Sequence, residues 1–83
     1  MGRLIYSKAY KTFLRHFRSA REAAGLTQQQ FAKRIAQSQS FVSKCERGER
    51  RIGVIELRIF CQALEIDLTS FVSAVDKDLG GAS

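Results

Sequence analysis

Five side chains in one short run place hydrogen-bonding chemistry on a shared face. Wound at about 100° per residue, residues 39–47 put Gln39, Ser40, Ser43, Lys44 and Arg47 within one arc, and Phe41, Val42 and Cys45 within another. An amide, two hydroxyls, an ammonium and a guanidinium supply donors and acceptors suited to recognition. No nucleophile stands with a base in the sequence, no carboxylate pair shares an apolar-lined face, and no glycine-rich phosphate loop is present. An enzyme is therefore the disfavoured reading.

A recognition face of this kind needs a stiff, well-placed helix behind it. Ser38 is suited to cap that helix and Gly48 to end it, so the spacing predicts a helix from residue 38 to about 47. Just before it, Phe31, Ala32 and Ile35 form the apolar stripe of a shorter helix. That helix starts on Thr27, which has capping-box spacing to Gln30, while Leu26 and Phe31 have the spacing of a hydrophobic staple. Only Ala36 to Ser38 separate the two, which forces a tight corner and makes residues 28–47 a helix-turn-helix pattern.

The residues at these places are similar to a known family. Thr27 and Gln28 opening a helix, Ala32 in its middle, Gln39 and Ser40 opening the next, Val42 on its inner face, and Glu46, Arg47 and Gly48 at its end resemble the DNA-binding domain of the phage repressor/Cro (XRE) family. The resemblance runs from about Phe13 to about Val72. One departure is Ala36, where the family usually has glycine at a corner that tends to need positive φ.

The resemblance implies double-stranded DNA as partner. Gln39, Ser40, Ser43 and Lys44 would read base edges in the major groove, Gln39 being suited to adenine N6/N7 and Lys44 to guanine O6/N7. Helix N-termini and nearby polar or basic groups, namely Thr27, Gln28, Gln29, Ser38, Arg47, Arg50 and Arg51, would meet phosphates. Arg21 falls by its angle among core residues, where a lone charge is expensive, and Glu46 is the expected partner, a pairing common in the family.

The remaining sequence bounds the fold. With 83 residues there is room for one domain, and no proline and no period-two alternation argue for an all-α, compact bundle of about five helices. Ser7 is the expected first cap after an N-terminal arm at residues 1–6; the domain spans residues 7–79, and residues 80–83 read as a disordered tail. Apolar stripes predict helices from Lys8 to Ala24, ended by Gly25, from near Gly53 to Leu64, with Val54 in its core stripe, and from an Asp67 cap through Leu79.

Composition narrows the setting. Cys45 and Cys61 fall at apolar positions, as buried thiols in a reducing cytoplasm would, and one histidine, His16, is too few for a zinc site, so no metal or cofactor is expected. No run is apolar and long enough to span a bilayer, and no signal peptide is evident, which predicts a cytoplasmic protein. Up to residue 51 there are 12 Lys and Arg against 3 Asp and Glu, a balance of +9. Beyond it there are 2 against 5, a balance of −3, and together these make the formal +6. The basic half contains the helix-turn-helix.

A second apolar stripe, Ile55, Ile59 and Ile66, with Phe71, Val72 and Val75 of the last helix, predicts a homodimer interface, and hence a palindromic operator. The alternative function for such surfaces is an antitoxin-like module that neutralises a partner protein. No small-molecule effector site is evident.

Overall fold

Every helix in the computed structural model, which describes residues 7–80, starts where a side chain or a glycine lets the backbone turn in. The elements are α1 (Lys8–Ala23), α2 (Gln28–Arg34), α3 (Gln39–Glu46), α4 (Val54–Leu64) and α5 (Leu68–Asp78). No strand occurs among the described residues, so the fold is all-α. The expected arm at residues 1–6 and the end of the expected tail, residues 81–83, lie outside the described residues.

Ser7, Thr27, Ser38 and Asp67 each accept a hydrogen bond from the backbone N–H three residues on, at 2.9–3.1 Å. Gln30 completes the capping box by accepting from the Thr27 N–H at 2.9 Å. At α4 the cap is Gly53, and Glu56 reaches back to its N–H at 3.1 Å.

The ends share one device as well. After each of α1 to α4 the chain closes with paired bonds from two successive residues at or just past the cap, such as Ala36 N–H to Lys33 O and Gln37 N–H to Ala32 O, with the first of the two in left-handed conformation. That residue is Gly25 (φ 76°), Ala36 (56°), Gly48 (79°) or Glu65 (59°). Glycine accepts this at no steric cost, whereas Ala36 and Glu65 accept it with a Cβ. The corner between α2 and α3 thus has the positive φ expected of it, with alanine in place.

The core is built on three phenylalanines from three helices. Phe17 of α1, Phe31 of α2 and Phe60 of α4 lie with ring centroids 5.6–5.7 Å apart, stacked in one pair and edge-to-face in the other two. Val42 and Cys45 of α3 and Leu57, Cys61 and Leu64 of α4 fill in around them. Phe71 and Val75 of α5 close the same cluster, at 8% and 9% exposure, and so leave the expected dimer interface. Their i, i+4 spacing forms α5's own core stripe, and Phe71 packs edge-on against Phe13 and His16 of α1.

Val54 is a second correction. It is the first residue of α4 and stays 67% exposed, ahead of the turn at which that helix meets the core. Both cysteines are free and buried. Burial is the main cause that pushes each thiol pKa up, and for Cys45 the nearby Arg50 partly opposes it.

Candidate nucleic-acid interface

The position of α3 is set by one buried ion pair. Arg21 of α1 donates from Nε to Glu46 Oε2 at 2.6 Å and from Nη2 to Oε1 at 3.1 Å, while its Nη1 reaches the Leu26 carbonyl at 2.7 Å. Gln28 Nε2 gives Glu46 a third bond at 3.0 Å. With the two charged side chains only 8% and 5% exposed, desolvation is costly. The fork-on-fork geometry and the added bonds offset it, and no buried side-chain polar atom lacks a partner among the described residues. The network joins α1, the link to α2, the first residue of α2 and the last of α3, so the two helices of the motif are locked end to end. Gln28 thus commits one of its two amide N–H donors inward, to Glu46, and is half-buried.

The polar face of α3 splits into open and engaged groups. Gln39, Ser40 and Lys44 are exposed, and their side chains make no hydrogen bond or ion pair among the described residues. Ser43 is half-buried and accepts from Arg47 Nη1. Arg47 also forks onto Glu49 at 2.8 and 3.2 Å, and this bonding holds the Glu49 carboxyl below the usual carboxylate range. Thr27 and Ser38 accept their helix-start bonds through hydroxyls whose own protons remain free to donate. Gln29 is exposed.

Arg50 departs from expectation. Its Nη1 and Nη2 fork onto Glu56 at 2.9 and 2.7 Å, Nη1 also meets the Arg51 carbonyl at 3.1 Å, and the guanidinium lies 4.6 Å from the Phe41 ring centroid. Glu56 is held below the usual carboxylate range, first by Arg50 and then by the Gly53 N–H. Arg50 therefore clamps the loop after α3 to the start of α4, with half-buried Phe41 beneath it, and its guanidinium is already engaged by Glu56. Arg51 stays exposed, and its guanidinium has no partner among the described residues. Tyr10 pins the same loop from the other side, its hydroxyl accepting from the Ile52 N–H at 3.0 Å.

Glu56 is the residue that sequence reasoning missed here, and its place three residues after the Gly53 cap was the available signal. Away from α3, Ile55, Ile59, Ile66 and Val72 are all exposed, Ile55 and Ile59 most clearly at 69% and 48%. No group of His, Cys, Asp and Glu that could hold a metal ion occurs among the described residues. No helix there is long and apolar enough to cross a membrane.

Two short helices joined by a left-handed corner, the second one carrying an open polar face, define a helix-turn-helix protein. Comparison with known proteins agrees: a family described as "Helix-turn-helix domain" matches residues 12–70. Among solved structures, an XRE-family like protein from Pseudomonas syringae pv. tomato str. DC3000 is similar at 38% identity and a TM-score of 0.81, over 92% of this chain and 93% of that one. No curated protein matches the sequence. The chain belongs to the XRE family of helix-turn-helix domains.

Proposed function

We propose that this protein is a sequence-specific, double-stranded DNA-binding transcriptional regulator, without enzymatic activity, that acts in the cytoplasm as a homodimer on a palindromic operator. The observation that carries this reading is the state of α3. It is anchored by the buried Arg21–Glu46 pair, while Gln39, Ser40 and Lys44 stand exposed and uncommitted on its outer face. Groups held rigidly by their backbone and free at their tips are suited to read base edges. Ser43 takes part with Arg47 as a bonded pair, and Thr27, Gln29, Ser38 and Arg51 supply the phosphate contacts that set the register.

Selection from a random duplex pool tests this reading. Recovery of one palindromic motif is the expected outcome, and binding without any recovered motif would refute it. On the selected site, Gln39→Ala and Lys44→Ala should each lose about 1–3 kcal/mol and relax preference at one or two base pairs. Equal losses on selected and random DNA would remove these residues from base reading.

The exposed Ile55, Ile59, Ile66 and Val72 support association with a second copy, because a single motif reads few base pairs and a twofold dimer reads two half-sites. The same surface also supports the second reading, an antitoxin-like module covering a partner protein. A second copy is favoured because it requires no further component to explain the open face of α3.

A further inference from the structure

A basic concavity lies between α1 and the end of α3, where α1 residues meet Glu46 and Arg47. Its volume is about 280 Å³, and it is lined by Lys11, Leu14, Arg15, Arg18, Glu46 and Arg47. Four of the six are cations. The one carboxylate is Glu46, which already accepts two bonds from Arg21 and one from Gln28, so it is neutralised from behind. Lys11 is exposed and has no partner among the described residues. Arg15, Arg18 and Arg47 lean on Asp78, Glu22 and Glu49 at 2.9, 3.2 and 2.8 Å, but all three pairs are exposed. Pairs of that kind are weak and exchange readily for a better anion.

We propose that this concavity is a phosphodiester-binding site that extends the DNA contact from α3 onto α1. The proposal rests on the DNA-binding reading above and adds to the contact Lys11, Arg15 and Arg18 of α1, which lie outside the helix-turn-helix. Continuity argues for DNA over an acidic protein: Arg47 lines the concavity and sits one turn after Lys44, so cationic side chains lead from the proposed base-reading face to Arg18 and Lys11. Arginine forks and a lysine around a shallow apolar floor, here Leu14, fit a phosphate oxygen pair and give no discrimination between bases.

The test uses the full chain and the operator duplex recovered by selection. Lys11→Gln/Arg18→Gln should lower the slope of log K against log salt by about two units, since each lost phosphate contact removes about 0.9. The loss should be the same on the operator and on a random duplex. A series of operators carrying one neutral methylphosphonate each should contain one or two positions that weaken the wild type and leave the double variant unaffected. The charge-conserving Lys11→Arg/Arg18→Lys should keep the wild-type slope. Both side chains are exposed, so thermal midpoints of all variants should match and exclude misfolding as the cause. An unchanged slope, or identical methylphosphonate profiles for wild type and variant, would overturn the site. A wild type that binds no duplex would instead refute the DNA-binding reading, and this proposal with it.

Discussion

Ala36 has a φ of 56°, a conformation its side chain disfavours, at the corner that sets how α2 and α3 meet. An L-residue in this region costs roughly 1–2 kcal/mol, and glycine's greater freedom in the unfolded chain returns part of that. Ala36→Gly should therefore stabilise the domain by about 0.5–1 kcal/mol and raise the thermal midpoint by several degrees. A midpoint that stays or falls would show that the corner is relaxed as it stands. Arg50 illustrates how much a sequence can hide at this scale. Its basic character and loop position are legible, but its pairing with the carboxylate six residues away is visible only once the loop has folded back on α4.

At the scale of elements, α3 is held by the Arg21–Glu46 network, whose loss would free one helix of the motif from the other. Replacing either partner with methionine leaves a buried charge without its counter-ion, so each single variant should lose roughly 2–4 kcal/mol. The double variant should lose less than the sum of the two, measured by denaturant unfolding, because the pair's desolvation cost disappears with it. Additive losses would mean that the two charges do not support each other. The helices themselves were readable to within a residue or so because caps, stripes and terminators agreed locally. The assignment of Val54 to the core failed because helical angle gives a direction and not a depth; it is the first residue of α4 and stays exposed, a turn ahead of buried Leu57. Phe71 and Val75 were misplaced for the complementary reason, since whether an apolar stripe meets its own domain or another copy depends on packing that periodicity does not contain.

For the molecule as a whole, the separation of surfaces decides what can assemble. The exposed isoleucines of α4 lie apart from the polar face of α3, so two copies can associate while both α3 helices stay open to DNA. Sedimentation at micromolar concentration should show a dimer or a monomer–dimer equilibrium. Ile59→Glu should shift it to monomer and weaken operator binding far more than binding to random DNA. A monomeric wild type that holds a single half-site tightly would exclude this arrangement.

The two buried thiols make the domain its own reporter. Cys45 rides on α3 and Cys61 on α4, at 1% and 2% exposure, and burial raises both pKa values, so neither can react while its helix stays packed. Alkylation must then wait for an opening, and its rate counts openings. Two variants, each keeping one cysteine, time α3 and α4 separately. If the domain opens as one unit the two clocks should agree. Operator at about 100 times Kd should slow both by about 100-fold, the same factor by which it depletes the open state. A Cys45 clock that runs ahead of Cys61 would reveal that α3 unlatches before the rest of the protein unfolds.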